Sequence, residues 1–462
     1  MDETREGDAG YDIIIVGGRP AGASLAARLG AQGRRVLVVD RASFPSGPGV
    51  PSCPVIYPPA IQLLEEIGVP ERDYAAGALP IKDLIIEFDR YFEARMRMVE
   101  AHGRDYILGI DRARFDLALW KNLARFPTVT ARSDFSFDDL VRDADGRVIG
   151  IDGHASGGPR ERILAGAVIG ADGRFSVVAR RAGARVVEDR PAHASTVYFA
   201  DWEGLSPQGD EVAPLVHIYA TGRGTDVLHI PLPGGNTTIC LHLRADRVDI
   251  GGDAEAFYLA TLQSYAGVRR RLVGAKRVSP VVGLKRVGNR YLEAGGPGWA
   301  LVGDALHHKD PVDGQGIYDA LIEGKLLAEA LGTVARGDRR FGEAVAWYEA
   351  RVREETYPMF LATMDRLKRE LYEEPPPLVI RTLLRWLLND PAYQRRFLLF
   401  LSRGIPPEGW LPPWLMGAAA LRGALGDLRG LLRRVLPGAV EVPALEAKAP
   451  LANPHQQTTL PP

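Results

Sequence analysis

The sequence predicts an α/β fold in which a parallel sheet is interrupted by an antiparallel sheet and followed by helices. Residues 11–40 show an apolar run, a glycine-rich turn, small and apolar residues at helical spacing, and a second apolar run, as in a βαβ unit. Apolar and polar residues alternate over 81–108, and residues 195–246 are again rich in strand formers, which is typical of antiparallel strands. Residues 340–436 have a helical pattern punctuated by prolines.

The bulk composition excludes several classes of protein. With 462 residues, 46% of them hydrophobic, the chain can bury a large core in two or three structural units. A net charge of −1 argues against nucleic-acid binding as the main role. The two cysteines, Cys53 and Cys240, provide neither a disulfide framework nor a CxxC pair, so we expect a reducing, cytoplasmic setting.

Two further kinds of segment or site are not expected. The first ten residues lack the basic and apolar regions of a signal peptide, and no apolar run is long enough to predict a transmembrane helix. The nine histidines show no spacing with cysteines or acids that indicates a metal site, so we expect none.

We expect three units and a tail that is disordered because it is rich in proline and alanine. The ranges are 10–80, 107–188 and 286–336 for a discontinuous nucleotide-binding domain, 81–106 and 189–285 for a β-rich substrate domain, 337–440 for a helical region, and 441–462 for the tail.

The first motif is the turn Gly17-Gly18-Arg19-Pro20-Ala21-Gly22, which follows the first predicted strand. In a dinucleotide-binding fold such glycines allow a tight turn, a close approach to the diphosphate and packing of the helix, whose N-terminus faces the phosphates. Asp40 ends the next strand, 18 residues after Gly22, where a carboxylate accepts hydrogen bonds from a ribose, and Arg41 follows it. The alternative is an ordinary strand-to-helix turn with a capping acid. Arg19 replaces the middle glycine and either contacts a phosphate or points to solvent.

Two later motifs also place a carboxylate at the end of a buried strand. They are Asp172-Gly173, after the strand that ends at Gly170, and Gly303-Asp304. Ligands of open α/β sheets bind beyond such strand ends, although an isolated Asp-Gly pair is usually a surface turn. The loop that begins at Pro311 and continues through Gly314-Gln315-Gly316 opens a helix, and that helix N-terminus would stabilise the negative charge of a reduced flavin.

Taken in this order, the three motifs resemble those of the group A flavoprotein monooxygenases, an aromatic-hydroxylase-like FAD superfamily that also includes geranylgeranyl reductases and flavin halogenases. The resemblance covers roughly residues 11–335. It implies a Rossmann-like FAD/NAD(P)-binding domain with an inserted substrate sheet, FAD as cofactor and NAD(P)H as co-substrate. It also implies that the turn Asp172-Gly173 is involved in binding FAD and in the use of NAD(P)H. Asp304 would bind the flavin ribityl chain, and Arg112, at the start of a helix, would contact the cofactor.

The reaction implied by this resemblance is hydroxylation of a small aromatic or other electron-rich molecule with O₂, through a flavin C4a-(hydro)peroxide. His308, Lys309 and Asp310 lie between Asp304 and the helix loop and are our candidate catalytic residues. They would bind an acidic substrate or shift a phenol toward phenolate. The alternative is a charged loop that caps its own backbone.

Departures from the family pattern keep other functions open. Tyr318 stands where the hydroxylases often have Asn, and the Trp-x-Trp-x-Ile-Pro motif of halogenases is absent. Cys53 lies in a loop that approaches the flavin in this superfamily, so a reductase that saturates isoprenoid or lipid double bonds is an alternative. A flavin-binding protein without turnover is another.

The basic, amphipathic segments 378–388 and 421–436 can lie on a membrane. We expect them instead to pack on their own protein or on a second subunit, as in a homodimer.

Overall fold

The computed structural model describes residues 10–47, 49–50, 52–207, 213–248 and 252–435, and the predicted tail, 441–462, lies outside them. Its first sheet has a parallel core, as the βαβ pattern predicts. The strand order is Gly295–Gly296, Trp299–Leu301, Arg160–Gly170, Tyr11–Val16, Val36–Val39 and Val129–Arg132. The first of these strands is antiparallel to its neighbour, and the other neighbours are parallel. The N-terminal half of Arg160–Gly170 also pairs with an antiparallel ribbon formed by Val148–Ala155 and Phe135–Arg142.

Two helices cover one side of this parallel core and pack on each other. The helix Pro20–Ala31 begins with a proline at its first position, where the missing N–H is not needed for the helix. It contacts the helix Gly316–Ala335, where a Cβ atom at Gly324 would lie 3.3 Å from the carbonyl oxygen of Ala21. Glycine at this position therefore allows the two helix backbones to approach closely.

The second sheet is antiparallel except at one pair. Its strand order is Lys276–Arg277, Ser195–Glu203, Thr237–Arg244, Thr225–Pro231, Leu215–Ala220, Asp83–Phe88 and Phe92–Arg97, with Val282–Leu284 also paired to Ser195–Glu203. The exception is the parallel pairing of Leu215–Ala220 with Asp83–Phe88, where two distant parts of the chain join. Parallel neighbours cannot be linked by a hairpin, and the chain between these two strands passes through the first sheet.

The two faces of the second sheet pack against different parts of the molecule. The outer face contributes Tyr198 and Leu241 to a core shared with the helices Ala254–Ser264 and Ala266–Arg271. The opposite face, which we call the inner face, packs against the loop at 53–57 and the C-terminal helices. Its buried or half-buried apolar members include Leu84, Ile86, Met96, Val216, Ile218, Leu228 and Ile230.

The other described helices, apart from short 3-10 turns, lie in the chain before the strand Trp299–Leu301 or in the C-terminal region. In chain order they are Pro58–Glu66, Glu71–Tyr74, Arg112–Asn122, Val177–Ala182, Phe341–Leu367, Lys368–Tyr372, Pro377–Val379, Ile380–Leu384, Arg385–Leu388, Pro391–Leu401 and Pro413–Val435.

A buried carboxylate joins the glycine turn to the helix Arg112–Asn122. The side chain of Asp116 is fully buried and accepts a 2.5 Å hydrogen bond from Nη1 of Arg19. Its other oxygen lies 3.1 Å from Nη2 of Arg112, one helical turn earlier. Two guanidinium groups therefore compensate one carboxylate that has no access to water.

We predict that Asp116→Ala destabilises the protein by about 3 kcal/mol, because it leaves two arginines without their buried counter-ion. Chemical denaturation measures the change in the free energy of unfolding. The control is Asp338→Ala, which breaks an exposed pair with Arg336 and should cost less than about 1 kcal/mol. Equal effects of the two substitutions would contradict the structural role of Asp116.

Candidate functional site

The predicted motifs meet at one edge of the parallel sheet. Val16 is in register with Val39 on one side and with Gly170 on the other, and Gly170 is in register with Leu301. Because these strands are parallel, their carboxyl ends lie side by side. The residues that follow them, from three distant parts of the sequence, therefore form a single site.

The glycine turn has the close approaches that the motif predicts. Gly17 has a φ of +107°, and a Cβ atom there would lie 2.3 Å from the carbonyl oxygen of Ala171. A Cβ atom at Gly22 would lie 1.8 Å from the carbonyl oxygen of Gly17. The helix that begins at Pro20 has no side-chain cap among the described residues, so its first N–H groups remain available to an anion.

Asp40 is held at this turn by two backbone donors. Its carboxylate accepts hydrogen bonds from the N–H of Gly18 at 2.7 Å and from the N–H of Ala42 at 2.9 Å. Arg41, predicted to bind the cofactor, is exposed just beyond it. The position of Asp40 is therefore fixed before any ribose is bound.

The side chain of Arg19 is 23% exposed and is directed toward neighbouring protein groups rather than open solvent. Besides contacting Asp116, it donates to the carbonyl oxygen of Ser46 at 3.0 Å and to its hydroxyl at 3.1 Å. Arg112 makes a 2.5 Å hydrogen bond to the hydroxyl of Ser52. Through Asp116, both arginines thus connect Ser46 and Ser52 to the turn, and their contact with a cofactor stays a prediction.

The carboxylate of Asp172 accepts hydrogen bonds from the residues that directly follow its turn. It accepts hydrogen bonds from the hydroxyl of Ser176 at 2.5 Å and from the N–H groups of Val177 and Val178, and so lies at the start of the helix Val177–Ala182. Burial raises the pKa of this carboxyl. Gly173 has a φ of +80°, and a Cβ atom there would meet no neighbour.

The neighbouring Arg174, which we did not assign to the site from sequence, links this turn to the third motif. It donates to the carbonyl oxygens of Gly288 at 3.1 Å and Lys309 at 3.0 Å, and its Nε lies 3.8 Å from the carboxylate of Asp304. Its position directly after an Asp-Gly turn is the signal that sequence reasoning could have used.

The third motif lies against the first. A Cβ atom at Gly303 would be 2.7 Å from that of Ala21, and the N–H of Gly303 donates to the buried Glu323 at 2.6 Å. The side chain of Asp304 remains 39% exposed. An accessible carboxylate beside an uncapped helix N-terminus fits the hydroxyls of a polyol chain next to a diphosphate.

The loop that precedes the helix Gly316–Ala335 leaves that helix N-terminus open. Gln315 directs its side chain away, donating to the carbonyl oxygen of Leu401 at 2.8 Å and accepting from Arg403 at 3.1 Å. No side chain among the described residues caps the helix, and a Cβ atom at Gly316 would meet no neighbour. Pro311 and Gly314 shape the loop, Gly314 with a φ of +63°. An open helix N-terminus of this kind can stabilise negative charge on a bound group.

The three predicted catalytic side chains do not form one cluster. The ammonium of Lys309 is buried in an ion pair with Asp319, whose other oxygen lies 3.3 Å from Arg403. His308 lies 3.2 Å from the carbonyl oxygen of Asp304. Burial and the adjacent Arg174 lower the pKa of His308 to about 4, so its ring is neutral. Catalytic roles for His308 and Lys309 therefore stay predictions.

Asp310 points instead to the inner face of the second sheet. One carboxylate oxygen lies 3.1 Å from Nε2 of His242, and the other accepts a hydrogen bond from the hydroxyl of Ser195. Burial opposes charge on both groups, yet the pKa of Asp310 is lowered by His242 and that of His242 is raised by Asp310. The pair is therefore stabilised in its charged form.

The inner face beside this pair is mostly apolar and carries one further acid near His242. Val197, Phe199 and Cys240 form a buried cluster, with Leu228 packed against it. Asp226 is in register with His242 on the next strand, and burial together with Glu370 raises its pKa to about 7. Sequence reasoning missed His242 and Asp226. The only signal for them was a polar residue at an inner position of each strand, two residues from Cys240 and from Leu228.

Cys53 lies at the opposite side of the loop. Its Sγ would be 3.4 Å from a Cβ atom at Gly314, and burial raises the pKa of its thiol to about 12. The thiol is therefore protonated at neutral pH.

Comparison with known proteins agrees with this arrangement. The family model described as FAD binding domain matches residues 10–351. The chain is 28% identical over 432 residues to a ubiquinone hydroxylase, UbiL, of Rhodospirillum rubrum, covering 90% of this chain and 95% of the relative. It is 27% identical over 412 residues to digeranylgeranylglycerophospholipid reductase 1 of Methanopyrus kandleri, covering 87% and 99% respectively.

A solved structure shares the fold. The flavin-dependent brominase Bmp2 superposes with a TM-score of 0.73 at 18% identity, covering 92% of this chain and all of that one. The matched family model, together with the strand-end site that it spans, shows that the chain belongs to the family of FAD-dependent oxidoreductases with this FAD binding domain.

Proposed function

We propose that the protein is an FAD-dependent monooxygenase that uses NAD(P)H and O₂ to hydroxylate a small, largely apolar aromatic or other electron-rich molecule. The observation that carries the proposal is the buried pair of His242 and Asp310. It joins the apolar inner face to the loop that opens the helix Gly316–Ala335. Two relatives support the proposal by their names, the ubiquinone hydroxylase and a 6-methylpretetramide 4-monooxygenase of Streptomyces rimosus.

The residues that would hold FAD follow from the strand-end geometry. The helix N-terminus at Pro20 would bind the diphosphate, Asp40 the adenosine ribose and Asp304 the ribityl chain. The N-terminus at Gly316 would face the pyrimidine edge of the ring. When bound, FAD supplies the electron transfer from NAD(P)H and the reaction with O₂.

The chain's own contribution to the chemistry is a dry surface and a positioned base. The cluster of Val197, Phe199 and Cys240 would exclude water and orient an apolar ring. Asp310 lies 3.1 Å from Nε2 of His242 and would keep that nitrogen turned toward its carboxylate. Nδ1 of the neutral ring would then be left to accept a hydroxyl proton from the substrate. Removal of that proton makes an aromatic ring more electron-rich.

A second candidate, reduction of a carbon–carbon double bond, is favoured by one observation. Cys53 lies beside Gly314 with a protonated thiol, so it would be placed to donate a proton to a substrate near the ring. The relative named as a digeranylgeranylglycerophospholipid reductase supports this alternative.

Asp304→Ala should lower the affinity for FAD by at least about tenfold, because it removes a charged acceptor from the ribityl chain. Flavin absorbance per protein after gel filtration measures the loss. Asp145→Ala, in an exposed turn, is the control and should retain flavin. If the Asp304 variant purifies fully yellow and active, the site assignment is wrong.

With NAD(P)H and a panel of phenols and polyketide-like aromatics, the enzyme should incorporate one atom of ¹⁸O₂ into the product. Mass spectrometry of the product measures it. Saturation of an alkene under anaerobic conditions, without oxygen incorporation, would replace the monooxygenase by the reductase. Negligible NAD(P)H oxidation across the whole panel would indicate a flavin-binding protein without turnover.

His242→Gln should lower kcat about 100-fold while keeping a donor toward Asp310. The raised pKa of His242 places its loss of charge above the usual 6.5, and only the neutral ring accepts a proton. Activity of the unmodified enzyme should therefore fall as the pH drops through that pKa, and this limb should vanish in the variant. His229→Gln, buried on the outer face of the same sheet, is the control. An unchanged pH profile in the His242 variant would contradict the role of the base.

A further inference from the structure

The last helix, Pro413–Val435, is packed on one side. Leu415 and Ala419 are buried there. A Cβ atom at Gly423 would lie 2.1 Å from the ring of Trp386, so the helix backbone rests directly on that indole. Arg422 adds a 2.7 Å ion pair to Asp390. The orientation of the helix about its own axis is therefore fixed by the rest of the protein.

The side that faces solvent is also apolar. Five of the helix's exposed large side chains lie on this side: Trp414 (69% exposed), Leu421 (62%), Leu425 (43%), Leu428 (52%) and Leu432 (48%). At about 100° per residue, their spacing places all five within a stripe about 60° wide. The stripe is about 27 Å long at 1.5 Å per residue. A continuous exposed stripe of this kind indicates a contact surface rather than scattered surface leucines.

The surroundings of the stripe, which we call the leucine stripe, are basic. Residues 377–435 contain nine arginines and three carboxylates, at Asp390, Glu408 and Asp427. Asp390 and Asp427 are already paired with Arg422 and Arg385. Arg429 is exposed and follows Leu428 at the border of the stripe. An apolar stripe bordered by arginines is complementary to a surface with negative headgroups above an apolar interior.

We propose that the leucine stripe docks on an anionic lipid surface, with the helix lying in the plane of that surface and its leucines among the acyl chains. Among the described residues, no helix is long and apolar enough to cross a membrane, and this one carries charges along its length. A second copy of the chain fits less well, because a two-fold contact would bring the arginines of both copies together. This inference does not depend on the proposed reaction.

Co-sedimentation of the full-length holoprotein with lipid vesicles tests the proposal. Vesicles of phosphatidylcholine with roughly one part in four of phosphatidylglycerol should bind the protein, and binding should weaken at about 0.5 M NaCl. Vesicles of phosphatidylcholine alone should bind it less. The double variant Leu425→Gln/Leu428→Gln should lower the partition constant at least about tenfold. Leu79→Gln/Leu164→Gln, which changes two exposed leucines elsewhere, is the matched control and should bind as the unmodified protein does.

Two further measurements distinguish the lipid surface from other occupants. Arg429→Gln should weaken binding to the vesicles that contain phosphatidylglycerol and leave binding to pure phosphatidylcholine unchanged. Circular dichroism should confirm that each variant is folded. The proposal is overturned if the unmodified protein binds neither kind of vesicle, or if the leucine variant binds as well as its control. It is also overturned if sedimentation velocity shows a dimer that the leucine variant converts to monomer, because a second copy then covers the stripe.

Discussion

The site depends on backbone segments that approach more closely than any side chain would allow. The helix that starts at Pro20 rests on the turn at Gly17 because Gly22 has no Cβ atom, and the third motif reaches the same helix because Gly303 has none. These contacts bring two helix N-termini, neither of them capped by a side chain among the described residues, to one edge of the parallel sheet. The carboxylates of Asp40 and Asp304 lie at the same edge. Backbone N–H groups and helix dipoles then supply most of what a dinucleotide needs, independently of side-chain identity.

A second set of constraints fixes the loops around that edge, and it is electrostatic. Several buried carboxylates around this edge are compensated by cations from other parts of the chain, since an uncompensated charge in the interior would be strongly destabilising. Asp116 joins the glycine turn to a helix, and Asp310 joins the loop at 311–316 to the second sheet. Two arginines of the C-terminal region form ion pairs near the loop. Arg366 lies 2.7 Å from Asp313, and Arg403 lies 3.3 Å from Asp319. The C-terminal helices are therefore part of the scaffold that positions the loop.

The sequence predicted the parts of this structure that depend on local patterns. The strand–turn–helix–strand unit, the second sheet and the helix at 316–335 follow from periodicity, from glycines and from a proline at a helix start. Partners distant in sequence were not predictable in the same way. Arg19 meets Asp116 from 97 positions away, and Asp310 meets Ser195 across 115 positions. The place of His242 beside Asp310 depends on the strand register of the second sheet, and that register could not be read from the sequence. The ion pair of Lys309 was not predictable either. Its partner, Asp319, lies ten residues later in the first turn of the helix Gly316–Ala335, and only the folded loop brings the two side chains together.

This division between backbone and side-chain constraints also explains why one fold carries hydroxylases, reductases and a brominase among its relatives. The edge that would hold the cofactor is built from glycines, helix ends and a few carboxylates, so it is compatible with any reaction of the flavin. The inner face of the second sheet is built from side chains, and those determine which molecule fits and where a proton goes. In this chain that face offers an apolar cluster with one ion pair at its border and one further acid, Asp226, whose pKa is raised by burial and by Glu370. The proposed substrate, mostly apolar with a single acidic hydroxyl, would be complementary to such a surface, whereas a highly charged one would lose hydration without gaining partners.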